Sequence, residues 1–197
     1  MKLFFSPTSP FVRKVRICAI ELGIENQLEL TPANAFAEDG LREVNPLSKV
    51  PALLLDDGGV LYDSPVLCEY VDHLGGGGLF PPAGPARWTA LRRQALGDGI
   101  CDAALRQVLE GRRAEGDQHQ DEIDRQALAV RAGLEALEAE ADSLSSDKMT
   151  IGEITVACAL GYLDLRFSHQ DWRIGRPRLT AWFATVSQRP SIQSTKP

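Results

Sequence analysis

The sequence is poor in the residues that announce chemistry most directly. It has four cysteines, Cys18, Cys68, Cys101 and Cys158, too widely spaced for a CxxC redox pair or a zinc-ligand pattern. Each sits among apolar residues at helical spacing, which reads as buried thiols in a reducing cytoplasm. The three histidines, His73, His119 and His169, stand apart from one another, so no metal site is expected. A basic excess is also lacking. The formal net charge is -6, which argues against a general nucleic-acid partner, although a local pocket can oppose the global sign. No apolar run approaches the ~18 residues of a membrane span. The longest helical one is ITVACALGYL (154–163). The opening MKLFFSP is broken by Ser6 and Pro7, too early for a signal-peptide core. What these absences leave is a cytoplasmic protein without a membrane partner. Its 197 residues, 44% of them hydrophobic, are enough for one large domain or two small ones with a real core.

The chain then divides into two halves with different patterning. In the first, KLFF (2–5) reads as a buried strand. Phe11, Val15, Cys18 and Leu22 repeat at helical spacing, which predicts a helix over 10–23 stopped at Gly23. Gln27–Leu30 reads as a weaker strand and 38–44 as a short helix. PALLL (51–55), the turn Asp56-Asp57-Gly58-Gly59 and Val60–Tyr62 give a hairpin signal. Ser64-Pro65 opens a further helix to about Leu74, with Pro suited to the first helical position. Gly75–Gly78 and Pro81-Pro82 mark a linker. Beyond it no strand pattern survives. Trp88, Leu91 and Ala95 start a long helix in which Gly97 and Gly99 read as bend points. Ile123, Ala127, Val130, Leu134 and Leu137 form a second helix. Thr150 and Glu153 fit a capping box, and Met149 with Ile154 a hydrophobic staple, ahead of a helix apolar on nearly every side. Leu179, Trp182, Phe183 and Val186 give a last short helix ended by Pro190. The expected domains are 1–75, a linker at 76–85, and an all-helical 86–197.

The order β-α-β-α-β-β-α followed by an all-α half resembles the cytosolic glutathione transferase family. Four segments carry the resemblance in the right order: TSPFVRKVRI (8–17), NPLSKVPALLLDDG (45–58), LYDSPVLCEYVD (61–72) and the T-x-x-E capping box of the buried helix. They look most like the serine-type bacterial members related to the theta and zeta classes. The resemblance implies an α/β thioredoxin-like domain with a mixed four-stranded sheet, then an all-α C-terminal bundle. It further implies a homodimer using glutathione as co-substrate, in detoxification. The first turn lacks the CxxC of a redox thioredoxin and the cysteine of thiol-type members. No tyrosine precedes Tyr62, so tyrosine-type activation is excluded.

Such an enzyme must ionise a thiol. A free cysteine thiol has a pKa of ~8.5, so only ~3% is thiolate at pH 7. Lowering it by ~2 units requires ~2.7 kcal/mol of preference for the anion. A helix N-terminus supplies ~0.3–1 kcal/mol, up to ~2 when partly buried, and a charged hydrogen bond ~1.5–3 kcal/mol. Together they suffice. Aligned by the R-x-V-R-I helix, Ser9 falls where serine-type transferases carry the activating hydroxyl, with neighbouring Thr8 the alternative. Ser9 before Pro10 is equally a helix cap followed by a first-turn proline; one hydroxyl can serve both ends.

The resemblance also implies a cis Val50-Pro51 bond that turns the Val50 backbone toward the cysteinyl unit of glutathione by strand addition. A trans proline protecting an edge strand is the alternative. Asp63 and Ser64 would read the γ-glutamyl ammonium and carboxylate, Ser64 also being a natural cap for the helix behind it. Lys49 is the nearest cation for the glycine carboxylate. Asp98 is nominated as an acid reaching the glutathione of a partner subunit. Phe11, Trp88, Leu91 and Arg92 are expected to line a cleft for the electrophile, though aromatic and aliphatic residues at this spacing also suit a core. Two other functions share this pattern: a non-catalytic binding or regulatory protein, and a glutathione-dependent isomerase, whose serine-cysteine signature is absent.

Overall fold

The computed structural model describes residues 1–34 and 40–197. The chain packs as two compact units, one of Met1–Arg87 with Pro190–Pro197 and one of Trp88–Arg189.

In the first unit β1 (Lys2–Phe5), β2 (Glu29–Pro32), β3 (Ala52–Leu54) and β4 (Val60–Leu61) form a four-stranded sheet in the order β2-β1-β3-β4. β1 runs parallel to β2 and antiparallel to β3, and β3 is antiparallel to β4, so the sheet is mixed as expected. Leu3, Ala52 and Leu53 are fully buried on the two central strands. Helices α1 (Pro10–Glu21) and α3 (Ser64–Leu74) pack on each other. Their shared core is Val12, Val15, Cys18, Leu67, Cys68 and Val71. Gly23 follows α1 with φ of 69°, a left-handed conformation that costs glycine nothing. The N–H of Ile24 then bonds back to Ala19 O at 2.9 Å, closing the helix.

Several boundaries moved. β2 begins two residues later than the apolar pattern suggested, because Glu25–Gln27 forms a 3₁₀ turn and the strand is mostly exposed. Of the helix expected at 38–44, positions 38 and 39 lie outside the described residues; Leu41–Val44 forms the short α2. The glycine run is tied down rather than free. Asp72 accepts from the N–H of Leu79 at 2.8 Å, and Gly77 donates to Asp72 O at 2.7 Å.

The second unit contains most of α4 (Pro85–Glu110), α5 (Gln120–Glu140), α6 (Ile151–Arg166) and α7 (Pro177–Val186). Every residue from Ile151 to Leu160 is buried, so α6 is the central rod. Its capping box is formed. Thr150 Oγ1 accepts from the N–H of Gly152 at 3.2 Å, and Glu153 accepts from the N–H of Thr150 at 2.9 Å. Gly97 is no bend point: α4 is continuous through it. A Cβ there would sit 2.9 Å from Thr155 Cγ2 and 3.0 Å from the Thr155 carbonyl carbon. Gly97 is what lets α4 lie against α6.

Past Pro190 comes a five-residue helix, α8 (Pro190–Ser194), that no sequence pattern predicted. It docks on α1 in the first unit. Buried Arg13 donates to Ile192 O at 3.0 Å and Thr195 Oγ1 at 3.3 Å, and Ser191 hydrogen-bonds Glu21.

Candidate functional site

Strand register brings three separated stretches to one end of the sheet. Phe4 pairs with Ala52, and Leu53 with Leu61. Continuing each ladder sets Phe5 opposite Pro51, and Pro51 opposite Asp63. The loop into α1, the turn before β3 and the entry to α3 therefore meet along one edge. Two helix N-termini, those of α1 and α3, open there.

Ser9 is the N-cap of α1, half-buried, with extended backbone (φ -78°, ψ 119°). Its Oγ accepts from the N–H of Val12 at 3.3 Å, and its carbonyl takes the N–H of Arg13 at 3.0 Å. An N-cap hydroxyl engaged as acceptor keeps its hydrogen for another group. Pro10 has no N–H, and among the described residues the N–H of Phe11 has no partner. Thr8 is exposed, one residue outside the cap. The phenyl ring of Phe11 is half-buried.

Val50-Pro51 is cis. Pro51 is buried, and among the described residues neither the N–H nor the C=O of Val50 has a hydrogen-bond partner. The turn leading to it is built by Asn45, only 1% exposed. Its Nδ2 donates to Lys49 O at 2.9 Å while its Oδ1 accepts from the N–H of Leu47 at 3.0 Å. Sequence reasoning passed over Asn45, although the Asn-Pro pair in NPLSKVP is itself a turn signal. Lys49 is exposed.

At α3 the roles of two neighbours are exchanged. Asp63, not Ser64, is the N-cap, and its carboxylate makes no capping bond. Ser64 is the first helical residue and is 3% exposed. Among the described residues, the Ser64 hydroxyl and the N–H groups of Ser64 and Val66 take no partner. Pro65 between them has no N–H, so this helix start presents unmatched donors, an arrangement suited to a carboxylate. The Tyr62-Asp63 bond is also cis.

In the second unit Trp88 is 68% exposed and Leu91 half-buried at the start of α4. Arg92 is committed elsewhere, gripping Glu140 of α5 through two hydrogen bonds of 2.6 and 3.2 Å. The hydrogen bond to Glu140 raises the Arg92 pKa above its ordinary value. On Glu140 burial acts upward, but the bonds and charges of Arg92 and Arg93 outweigh it, and its pKa lies below the usual carboxylate value. Asp98 is half-buried on α4. Among the described residues no group of His, Cys, Asp and Glu is arranged to hold a metal ion. No described helix is long and apolar enough to cross a membrane.

Known proteins share this fold. Residues 8–74 match the glutathione S-transferase N-terminal domain, and 120–185 its C-terminal domain. The uncharacterised GST-like protein YibF of Escherichia coli (strain K12) is 36% identical, over 100% of this chain and 98% of its own length. A glutathione transferase family member from Pseudomonas fluorescens Pf-5, solved with bound glutathione, superposes with a TM-score of 0.95. It is 42% identical over 100% of this chain and 98% of that one. A glutathione S-transferase from Methylobacillus flagellatus KT, solved with glutathione, gives a TM-score of 0.93. It is 37% identical at the same coverage of both chains. A thioredoxin-like mixed sheet and a helical half, matched from end to end by these relatives, place the chain in the glutathione S-transferase family.

Proposed function

We propose that the chain is a serine-type glutathione transferase in which Ser9 holds the glutathione sulfur as a thiolate for attack on a small electrophile. The observation that carries this reading is the Ser9 hydroxyl at the start of α1. It accepts from the helix at 3.3 Å and so retains a hydrogen to donate. A thiolate there would meet that hydroxyl and the N-terminal end of the α1 dipole together. These are the two terms whose sum covers the ~2.7 kcal/mol that a ~2-unit drop in pKa requires.

Binding of the rest of the tripeptide follows from the same edge. The unmatched N–H and C=O of Val50 would pair with the cysteinyl backbone, as in strand addition. The Ser64 hydroxyl and the open amides of α3 would take the γ-glutamyl carboxylate, and the Asp63 carboxylate its ammonium. Lys49 would serve the glycine carboxylate. The Pseudomonas and Methylobacillus relatives were solved with glutathione, which supports this choice of ligand. The residues proposed to meet the electrophile are Phe11, Trp88 and Leu91. Arg92 is retained only as a neighbour, since Glu140 already occupies it. A homodimer is proposed as the working unit, with Asp98 reaching the glutathione of a partner subunit, and the cytoplasm as its compartment.

The test is the pH dependence of conjugation to a chloronitrobenzene. Ser9→Ala should leave glutathione affinity within a few-fold, lower turnover at pH 7 by ~10–100-fold, and move the rate profile to higher pH. An unchanged profile would remove Ser9 from the role. Glutathione uptake by the wild-type protein without turnover of any electrophile would instead make it a binding protein.

A further inference from the structure

The start of α1 lacks the usual supports of a helix N-terminus. Its first turn has no acidic residue, and the bond from the Val12 N–H to Ser9 Oγ is long, at 3.3 Å. The first charged residues, Arg13 and Lys14, are basic, the sign that the N-terminal end of the helix dipole opposes. A helix start of this kind frays unless tertiary contacts hold it. A fraying cap cannot keep its hydroxyl aligned on one acceptor, and hydrogen bonds weaken steeply with misalignment.

The contact that holds this turn is Arg13. Its main-chain N–H closes the first turn on Ser9 O at 3.0 Å. Its side chain, 7% exposed, is buried against Pro190–Pro197, a segment that returns to the first unit after the second. Nη2 donates to Ile192 O at 3.0 Å and Nε to Thr195 Oγ1 at 3.3 Å. Ile192 O lies in the last turn of α8, the negative end of a helix, where a guanidinium is favoured. Thr195 Oγ1 itself donates to Ser191 O at 2.8 Å, which fixes the lone pair it offers to Arg13. At the other end of α1, Ser191 hydrogen-bonds Glu21, the last helical residue, eight positions and about 12 Å beyond Arg13. The segment therefore grips α1 at both ends, through residues that are themselves buried. A five-residue helix has no stability of its own, so α8 and the first turn of α1 order each other. Among the described residues Arg13 meets neutral oxygens and no carboxylate, so replacing it strands no buried acid.

We propose that Arg13 is a positioning residue for the thiol chemistry. The segment Pro190–Pro197 holds its side chain, its main chain holds the first turn of α1, and that turn keeps the Ser9 hydroxyl aimed at the glutathione sulfur. The inference rests on the reading of Ser9 as the activating hydroxyl.

The test follows the ultraviolet absorbance of the bound glutathione thiolate against pH in full-length variants, with amide hydrogen exchange at Val12 and Arg13 measured beside it. Arg13→Met should raise the thiol pKa by about 1 unit, roughly half the effect expected of removing the Ser9 hydroxyl, and leave glutathione affinity within a few-fold. Both amides should exchange faster in that variant. Thr195→Val, which removes one acceptor far along the chain, should shift the thiol in the same direction by less. The double variant should shift it no further than Arg13→Met alone, because Thr195 acts through Arg13. Gly97→Ala, a destabilising change in the second unit, should leave the thiol where it is, which separates positioning from a general loss of stability. Should Arg13→Met not fold, Thr195→Val against Gly97→Ala carries the comparison. An unmoved thiol pKa in the Arg13 and Thr195 variants, additive shifts in the double variant, or an equal shift in Gly97→Ala would each overturn the proposal. A wild-type complex that titrates like free thiol would instead remove the Ser9 reading, and the exchange of the two amides would still show whether Arg13 holds the turn.

Discussion

Ser9 and Ser64 look alike in sequence, each followed by proline, but they hold different positions. Ser9 is a true N-cap whose oxygen already serves its own helix. Ser64 is the first residue inside its helix, buried, and its hydroxyl serves nothing among the described residues. Removing the second should therefore affect recognition and not chemistry. Ser64→Ala is expected to weaken glutathione binding by about tenfold, the ~1.5 kcal/mol of a hydrogen bond to a charged group. It should leave the pKa of the bound thiol where it was. Isothermal titration of the variant checks the first part, and the pH–rate profile the second. The proline after each serine was legible as a helix start. Which serine caps and which is left open was not, because the two differ only in backbone dihedrals at a single residue. Asn45 was overlooked for a similar reason. Its role is to fold the turn behind Val50, and a turn-forming asparagine looks the same whether or not a ligand approaches its loop.

At the level of elements, periodicity found every long helix, and the four strands fell within two residues of their expected starts. It failed where tertiary packing decides. Arg13 is a charged residue on an amphipathic helix, with nothing to mark it as buried; its partners, Ile192 in α8 and Thr195 just past it, lie about 180 positions away. Gly97 looked like a weak point in α4 and is instead a point of close approach to α6. Gly97→Ala should cost about 1–3 kcal/mol, read from urea unfolding, since the added methyl meets backbone that cannot give way. Gly99, which meets nothing within 4 Å, should tolerate the same change and gain slightly from helix propensity. The clamp of Arg92 and Arg93 on Glu140 carries a pH signature. The pKa of Glu140 is depressed below 4.5 in the folded chain, so its contribution is fully present above that value. It is lost as pH falls through the depressed value. Glu140→Gln should therefore be less stable than wild type at pH 7, and the gap should narrow as the pH drops below about 4.5, measured by denaturant midpoints at each pH.

For the whole molecule, acidic charge and the absence of CxxC, metal clusters or membrane-length runs limited the candidate functions. The positive statement came from the order of elements and four short motifs. The edge where α1, β3 and α3 meet was implied by that order, since register does the rest. A cavity of about 450 Å³ in the second unit, lined in part by Val130, Leu134, Leu163 and Phe167, was not implied. Ala127 and Val130 keep the same spacing as buried Leu134 and Leu137, and only the structure shows them half-buried beside empty space. If the first unit binds the tripeptide, ligand must stabilise the fold by mass action. Glutathione at 100 times its dissociation constant should add about 2.7 kcal/mol, a rise in Tm of roughly 5–10 °C by thermal denaturation. Ser64→Ala should show less of that rise at the same concentration. The most direct test of the account is the ionisation of bound glutathione itself, followed by the ultraviolet absorbance of its thiolate in a titration from acid to alkaline pH. The wild-type complex should titrate about 2 pH units below the ~8.5 of a free cysteine thiol, and Ser9→Ala should recover most of that difference. A wild-type complex titrating like free thiol, or a Ser9→Ala complex titrating like wild type, would contradict it.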